Sequence, residues 1–557
     1  MSDFLGMAPQ LNPINMDQRL SQNAVNTKVI YGNLRPWNAL GATGGLTKSS
    51  GVIKTIYRWG ENQTSEDNYW FSWTTDVDVV RAPIDGDTTE RTYFTGDGAP
   101  KVTNNSLTLP GLSITSNGQY VPSSGDGNGT YPSNSYLLGV PAPTTAPVAT
   151  VTGTATNAAD VALSVAYVVT YVTSIYEESA PSAPSNVVSY KLGQTVNLTN
   201  LPSAPDGNRL ITLKRIYRSN TGSKGTAYQF VVELPVATTS YSDTKDSADL
   251  GETVATWGWS EPPATMQGLK LLANGIGLGF SGNTLYPSEP FALYAYPVAY
   301  QLSTESPIVG IGVFGQSAFI GTKSNPYVVT GAAPESLSMI KLEAKQACVS
   351  KRSIVEMNGG VVYASPDGLF LVNGNGISQI TAGLLSREDW QKYVPSSIHA
   401  YEIDGRYIAF YDTGTVQGGL VFDLFSTTPS FTKVDFYATA GYSDRLRDIL
   451  YLKIPSTTTV QKWEGGSSNL TFTWRSKKFR APRPMCPAAA RIEGTGYPFT
   501  FKLYADDVLK FTKTVTSAAA FRLPSAYKAQ IFEMEFSGTG QINTVMLAES
   551  FEELRNV

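Results

Sequence analysis

The densest group of residues that could do chemistry is a basic run near the end of the chain. It consists of five cations within nine residues, Arg475, Lys477, Lys478, Arg480 and Arg483. Such a run can contact phosphates, pair with acids on a neighbouring subunit, or stay solvated. The whole chain has 42 Lys and Arg against 46 Asp and Glu, a net charge of -4. Because this balance argues against dedicated nucleic-acid binding, a subunit contact is the interpretation we favour.

Paired carboxylates are the second pattern with chemical potential. Glycoside hydrolysis requires two carboxylates that converge from distant segments, whereas adjacent acids in polar turns are typical of solvated surfaces. Oxygen-rich turns also suit calcium, which stays open as an alternative. We therefore predict solvated turns, with no catalytic role, for four pairs: Asp76/Asp78, Asp85/Asp87, Glu177/Glu178 and Asp506/Asp507.

Histidine and cysteine are too scarce for most catalytic and metal sites. The only histidine is His399, and the only cysteines are Cys348 and Cys486. They cannot build a Cys-based zinc site or a disulfide framework, and a Ser-His-Asp triad would depend on His399 alone. The glycines of Gly275–Gly279 lie in a strand pattern without the helix that phosphate binding requires. We predict no catalytic, cofactor or metal residues, and a protein that is not an enzyme.

The composition indicates which elements position these residues. Aromatic residues make up 11% of the chain and charged residues 16%, and there are 50 Gly and 33 Pro. Tyr and Thr favour half-buried strands, while Gly and Pro favour turns, so the chain is expected to be all-β. No signal peptide and no run of 18 apolar residues is visible, so we expect synthesis in the cytoplasm without standard export.

A repeat of 44 residues predicts the architecture. Phe319, Tyr363, Tyr407 and Tyr451 follow one another at this interval, each inside a short apolar strand. A period of about 40–45 residues with several strands per repeat is typical of a β-propeller. We predict six or seven blades, with these four residues in the blade cores.

Shifts in composition divide the chain into five parts. We predict an N-terminal arm at 1–50, the first part of the propeller at 51–145, an inserted domain at 146–258, the remaining blades at 259–469 and a C-terminal β-sandwich at 470–557. The inserted segment has short strands with turns every 8–12 residues, as a β-sandwich does. Its stretches AYVVTYVTSIYEESAPS and LKRIYRS resemble a fibronectin type III-like domain.

Several stretches also resemble one family of phage proteins. TWRSKKFRAPRP and FRLPSAYKAQIFEMEFSGTGQINTVMLAESFEELR resemble the end of the tail nozzle, or tail tubular protein B-like, family of short-tailed bacteriophages. RTYFTGDGAPKVT, LLGVPAPTTAP and YASPDGLFLV are similar to the same family.

The resemblance implies a structural virion protein located in the phage tail. It would form a ring of six copies below a tail adaptor protein, conduct double-stranded DNA without sequence specificity, and close the conduit until genome ejection. Tail fibres or spikes would be partners, and transient contact with the host envelope would be expected. On this basis the basic run is expected at a subunit or adaptor contact.

Two other functions remain open from the sequence. The first is a receptor-binding or glycan-binding tail component, which would show exposed Trp and Tyr around a propeller mouth. The second is a carbohydrate-active propeller enzyme, which would need carboxylates converging in the central channel. Ser365–Phe370 resembles the Asp-box turn of sialidases, but its Asp-Gly pair is explained by the turn alone.

Overall fold

The described part of the chain is all-β, which confirms the composition-based prediction. The computed structural model describes all residues except 2, 31, 47–50, 61, 62, 67, 68, 110, 122–131, 133, 206, 223, 224, 358, 425–427 and 555–557. Helix is confined to α1 (Asn105–Thr108), α2 (Arg387–Gln391) and short 3-10 turns within these residues. The 3-10 turns are Ser247–Asp249, Val298–Tyr300, Pro334–Ser336, Lys351–Ser353 and Pro395–Ser397.

The first 140 residues form short strands. Four come from the predicted N-terminal arm: β1 (Ser21–Val25), β2 (Thr27–Ile30), β3 (Asn33–Pro36) and β4 (Gly41–Gly45). The next eight are β5 (Thr55–Arg58), β6 (Trp70–Trp73), β7 (Asp78–Arg81), β8 (Thr92–Thr95), β9 (Lys101–Thr103), β10 (Ser113–Ile114), β11 (Tyr120–Val121) and β12 (Tyr136–Leu137). β5 pairs with β6, β10 pairs with β11, and the order β12-β9-β8-β7 forms a four-stranded sheet.

Residues 148–243 form three small sheets around a shared apolar core. Their order is β13-β17-β20, β14-β16 and β15-β18-β19. Tyr167, Leu198 and Ile216 lie in this core with at most 2% exposure, as alternating strands with one buried face require. The strands are β13 (Val148–Thr152), β14 (Leu163–Val165), β15 (Tyr167–Thr173), β16 (Val188–Tyr190), β17 (Thr195–Thr199), β18 (Ile211–Gly222), β19 (Gly225–Pro235) and β20 (Tyr241–Asp243).

Residues 267–379 form three four-stranded antiparallel sheets in sequence order. The first has β21 (Gln267–Leu271), β22 (Gly277–Ser281), β23 (Thr284–Pro287) and β24 (Leu302–Ser303). The second has β25 (Ile308–Phe314), β26 (Ser317–Thr322), β27 (Tyr327–Thr330) and β28 (Ser338–Lys341). The third has β29 (Val355–Met357), β30 (Gly360–Ser365), β31 (Gly368–Asn373) and β32 (Gly376–Gln379).

Residues 399–462 supply two further groups. One is β33 (His399–Ile403), β34 (Arg406–Asp412), β35 (Gln417–Asp423) and β36 (Ser430–Val434). The other is β37 (Ala440–Asp444), β38 (Ile449–Lys453) and β39 (Thr459–Lys462), and its fourth strand is β4 from the chain start. The pairing Lys462 with Gly41 fixes that register.

The C-terminal strands pack with the start of the chain. They are β40 (Phe472–Ser476), β41 (Phe479–Met485), β42 (Ala489–Thr495), β43 (Phe499–Ala505), β44 (Val508–Val515), β45 (Phe521–Arg522), β46 (Ala529–Gly538) and β47 (Gln541–Ala548). One sheet has the order β2-β3-β47-β42-β45, and another runs without a break through β33-β34-β35-β36-β1-β40-β46-β43-β44, with β41 also paired to β46. β1 is the bridge, since it is parallel to β36 and antiparallel to β40.

The segment predicted as an N-terminal arm, residues 1–50, therefore packs into sheets formed with distant parts of the chain. β1, β2 and β3 belong to the C-terminal sheets, and β4 completes the sheet of β37–β39. Phe4 is fully buried and packs its ring edge-on against Trp474, with centroids 5.2 Å apart. The Gly, Asn and Pro content of residues 1–50 has no local strand pattern. These strands form because they pair with strands more than 400 residues away in the chain.

Seven sheets pack side by side in a cycle. We number them sheet 1 (β5-β6), sheet 2 (β7, β8, β9, β12), sheet 3 (β21–β24), sheet 4 (β25–β28), sheet 5 (β29–β32), sheet 6 (β33–β36) and sheet 7 (β37–β39 with β4). Each neighbouring pair shares a buried apolar cluster, and sheet 7 shares one with sheet 1. The first strands of neighbouring sheets also contact one another, for example β37 with β5 and β21 with β7.

The four aromatic residues at 44-residue intervals occupy equivalent places. Phe319, Tyr363, Tyr407 and Tyr451 each lie in the second strand of their sheet, and each is fully buried. They fill the spaces between sheets: Phe319 stacks on Tyr363 with centroids 4.6 Å apart. Tyr451 meets Trp70 edge-on at 4.9 Å, across the junction of sheets 7 and 1.

Candidate functional sites

The first half of the basic run is neutralised within the chain. Glu533 on β46 has a buried side chain, and its carboxylate accepts from Arg475 Nε at 2.9 Å and from Gln22 Nε2 at 2.6 Å. Lys478 forms an ion pair with Asp507, and its hydrogen bond lowers the pKa of that carboxyl. These contacts join β1, β40 and the turn after β43, so they stabilise the C-terminal unit itself.

Lys477 is held in the same way. Its ammonium donates to the carbonyl of Met16, in the segment leading into β1. The five cations of the basic run therefore do not form one surface. Arg475, Lys477 and Lys478 contact acidic or carbonyl groups of this same chain.

The second half of the run is more exposed. Arg480 and Arg483 lie exposed on β41, an edge strand interrupted by prolines. Other cations of residues 470–557 lie over aromatic rings: Lys510 over Tyr527 at 5.8 Å, Lys513 over Phe521 at 5.4 Å and Arg522 over Phe551 at 5.8 Å. We define the basic group as Arg480, Arg483, Lys510, Lys513, Arg522 and Lys528.

The basic group is poorly compensated by acids. Within the described residues, its one ion pair is Arg483 with Glu549 at 3.6 Å. Residues 470–557 contain twelve Lys and Arg against eight Asp and Glu, although the chain is acidic overall. An excess of cations in this part of the chain favours contact with an acidic partner.

A second charged cluster lies between the first strands of sheets 2, 3 and 5. Asp78 is 7% exposed and forms ion pairs with Lys351 at 2.5 Å and Lys270 at 3.3 Å, while Asp76 lies 3.2 Å from Lys351. Burial alone would raise the pKa of Asp78, but the charges of Lys351 and Lys270 lower it. The prediction of a solvated turn is wrong for Asp78, because its partners lie too far away in the chain to form a local pattern.

Glu177 is also buried, so the prediction of a solvated turn is wrong for this acid as well. It is 2% exposed, and its carboxyl accepts from the hydroxyl of Tyr93 in sheet 2 at 3.3 Å. Burial raises the pKa of Glu177 to about 7. Its neighbour Ile175 packs into the cluster shared by sheets 2 and 3. Residues 148–243 therefore rest against sheets 2 and 3 through this corner.

The remaining acid pairs are turn or ion-pair residues. Asp87 accepts from the backbone of Thr89 and Arg91. Glu178 forms an ion pair with Arg215 at 2.7 Å. Asp506 and Asp507 both have positive φ in the turn between β43 and β44. In the chain that the structure describes, no three His, Cys, Asp or Glu side chains are grouped as a metal site would need.

His399 and Cys348 are packing residues. The His399 ring stacks on Phe410 at 5.5 Å, and Nδ1 lies 3.1 Å from the hydroxyl of Tyr401. Burial holds the pKa of His399 well below its ordinary value and raises the pKa of the Cys348 thiol to about 12. Both side chains therefore stay uncharged at neutral pH.

None of the helices in the described residues has the length and apolar character needed to cross a bilayer.

Known proteins provide little guidance to function. The sequence matches no known protein family and no curated protein.

Solved structures that are similar to this chain share little sequence with it, as two examples illustrate. The N-terminal domain of Nup159 is 9% identical, with 58% of this chain and 86% of that chain covered and a TM-score of 0.23. PorZ, a surface component of the type-IX secretion system of Porphyromonas gingivalis, is 10% identical. The match covers 91% of this chain and 83% of PorZ, also with a TM-score of 0.23. At these values neither similarity identifies a family or an activity for this chain.

Proposed function

We propose that this protein is a structural virion protein, the tail nozzle of a short-tailed bacteriophage. The observation that carries the proposal is the unbroken sheet from β33 to β44, in which β1 joins sheet 6 to the C-terminal strands. Backbone pairing of β1 with β36 at Val25 and Lys433, and with β40 at four positions, ties these two parts of the molecule together. A conduit that holds and releases packaged DNA needs stiff modules, and the sequence resemblance points to the same class.

We infer that sheets 1–7 are the blades of a seven-bladed β-propeller. The cycle of shared apolar clusters supports this, as does the completion of sheet 7 by β4 from the chain start. Closing the last sheet with a distant strand removes free edges, which would otherwise pair with other chains. Residues 148–243 would be a fibronectin type III-like insertion, and residues 472–548 a C-terminal β-sandwich.

DNA would pass between copies and not through the propeller of one copy. The cavities beside the first strands measure between about 230 and 520 Å³, and the ion pair of Lys351 with Asp78 lies beside one of them. Spaces of this size suit only small ligands. A ring of six copies, with its axis as the conduit, is therefore the arrangement we propose.

The basic group is the surface we assign to a subunit or adaptor contact. Arg480 and Arg483 keep the role expected of the basic run, whereas Arg475 and Lys478 already have acidic partners in the chain. A ring of cations facing the lumen would bind phosphates and slow ejection. The tail adaptor, tail fibres or spikes and the host envelope remain proposed partners.

Electron microscopy of the purified protein and of the virion that contains it tests this proposal. We expect six-fold rings in the purified sample, or on mixing with the adaptor, and antibody labelling at the distal end of the tail. A protein that stays monomeric with the adaptor and is absent from purified virions would overturn the nozzle assignment.

A further inference from the structure

A pocket lies among the first strands of sheets 1, 2, 3, 6 and 7, beside the 3-10 turn that precedes sheet 5. Its volume is about 260 Å³, below the range of about 300–1,000 Å³ typical of drug-sized ligands. The rings of Tyr57 and Tyr442, 5.3 Å apart, form part of its wall. Its charged lining residues are Lys54, Asp76, Asp78, Lys270, Lys351 and Arg352.

Four of these six charged residues neutralise one another. Lys351 lies 2.5 Å from Asp78 and 3.2 Å from Asp76. Lys270 lies 3.3 Å from Asp78, so two lysines and two aspartates form one neutral network. In the part of the chain that the structure describes, the two remaining cations form no ion pair. The pocket therefore contains two positive charges that its own carboxylates do not compensate.

Arg352, one of the two remaining cations, is held in place by backbone carbonyls. Its Nη2 donates to the carbonyl of Lys54 at 2.7 Å and to that of Thr439 at 2.6 Å. The same nitrogen lies 3.4 Å from the hydroxyl of Tyr401. Within the described residues, Nε and Nη1 of Arg352 have no hydrogen-bond partner. Because carbonyls carry only partial charges, the guanidinium is fixed in position and still offers a full charge and free donors.

Lys54, the other cation, lies next to this guanidinium. Arg352 donates to the carbonyl of Lys54 itself, so the two residues are adjacent although 298 positions separate them in the chain. Lys54 is exposed, and the flexible four-carbon stem of a lysine lets its ammonium turn toward a ligand. The pocket therefore combines a fixed cation, a mobile cation and a wall of tyrosine rings.

We propose that this pocket binds the carboxylate or phosphate group of a small molecule, with Arg352 and Lys54 as its cationic contacts. Both groups accept charge-assisted hydrogen bonds, which are about twice as strong as those between neutral groups. The rings of Tyr57 and Tyr442 would cover the carbon atoms of the ligand. Asp76 limits the affinity, because its carboxylate lines the same pocket. This inference does not depend on the nozzle assignment, since the pocket lies within one copy of the chain.

Isothermal titration of the full-length protein with inorganic phosphate, benzoate and benzamide tests the proposal. Benzoate and benzamide have the same ring and differ in charge, so we expect phosphate or benzoate to bind and benzamide not to bind. The anion that binds more tightly identifies the group that the pocket prefers. Arg352→Gln should weaken that binding about tenfold or more, the loss of one charge-assisted hydrogen bond. Arg387→Gln, which changes an exposed arginine outside the pocket, should leave it unchanged.

Lys54→Gln and Asp76→Asn change the charge of the pocket and spare the bonds of Arg352 to the backbone. Lys54→Gln should weaken anion binding by up to about fivefold, as the loss of an exposed ion pair does. Asp76→Asn should tighten it, which a variant that is merely damaged would not do. Absence of binding by both anions with Kd below about 1 mM would overturn the proposal. Equal affinities in the wild type and these three variants, or equal binding of benzoate and benzamide, would also overturn it.

Discussion

Tyr407 shows how much one side chain contributes at the junction of two sheets. It is fully buried, and its hydroxyl donates to the carbonyl of Ser353 at 2.7 Å, next to sheet 5. Tyr407→Ala should lower the free energy of unfolding by about 3–5 kcal/mol, as large aromatic truncations do. Tyr407→Phe keeps the packing but orphans the carbonyl, so a loss of about 1–3 kcal/mol is expected.

Urea denaturation followed by Trp fluorescence measures both variants. Tyr176→Ala is the matched control, because Tyr176 is 74% exposed and its loss should change stability by less than about 0.5 kcal/mol. Equal effects of Tyr407→Ala and Tyr176→Ala would show that the 44-residue positions do not hold the sheets together.

Glu177 should give the protein a pH-dependent stability. Its folded pKa is about 7, above the ordinary value of 4.5, so between these values the folded state keeps a proton that the unfolded state has lost. Stability should therefore fall as pH rises from about 4.5 to 7, by on the order of 3 kcal/mol for this group, and level off above that.

Glu177→Gln should remove this slope while keeping an acceptor for Tyr93. The measurement is the melting temperature of wild type and variant between pH 5 and 8, compared at each pH. Parallel curves for the two proteins would mean that Glu177 is not buried against Tyr93.

At the scale of elements, the contact between the chain start and sheet 6 depends on a glycine. A Cβ at Gly6 would lie 2.5 Å from the carbonyl oxygen of Phe431, and backbone cannot move aside cheaply. Gly6→Ala should therefore loosen the segment before β1 and expose it to protease. Gly45→Ala is the control in the same region, since nothing lies within 4 Å of a Cβ there.

Limited proteolysis followed by mass spectrometry measures where, and how early, each variant is cleaved. Early cleavage before residue 26 is expected for Gly6→Ala and not for Gly45→Ala. The same cleavage pattern in both variants and the wild type would show that the close approach of Gly6 to Phe431 does not matter.

The inserted segment should be removable. Gly139 lies against Pro262, since a Cβ there would be 2.6 Å from Cδ, so the two ends of the segment are already adjacent. Replacing residues 146–258 by a short flexible linker should leave the seven sheets folded, with some loss of stability because Ile175 and Glu177 leave sheets 2 and 3. Circular dichroism and gel filtration measure this, and an aggregated or unfolded product would contradict it.

Sequence patterns captured what is local in this fold and missed what is distant. The 44-residue repeat from Phe319 to Tyr451 was visible in the sequence because each sheet places an aromatic side chain at the same position of its second strand. The strands within residues 1–50 could not be predicted in this way, because β1 and β4 pair with strands hundreds of residues away. The predictions for the charged residues were wrong for the same reason. Asp78 pairs with Lys351, and Lys478 pairs with Asp507, only after the sheets have assembled.

At the scale of the whole molecule, charge reversal within the basic group tests whether these residues contact another subunit or the adaptor. Arg480→Glu with Arg483→Glu should reduce ring formation and virion yield, because the reversed charges would repel an acidic partner. Lys478→Glu is not an equivalent test, since it would break the ion pair with Asp507 and destabilise the chain itself. Virion yield and DNA affinity across salt concentrations are the paired measurements. Normal assembly with a large, salt-dependent loss of DNA affinity would instead favour a DNA-gripping surface.

The strand β4 has a consequence for how the protein is made. Sheet 7 needs β4, which is synthesised long before the other strands of that sheet, and β39, which ends at Lys462. At about 5–20 residues per second, synthesis of the intervening chain takes roughly 20–80 seconds. During that time β4 has no partner, and neither does β1, which waits for β36 and β40. The nascent chain therefore exposes strand edges until it is nearly finished, and chaperone binding to its first 45 residues should govern the yield of folded protein.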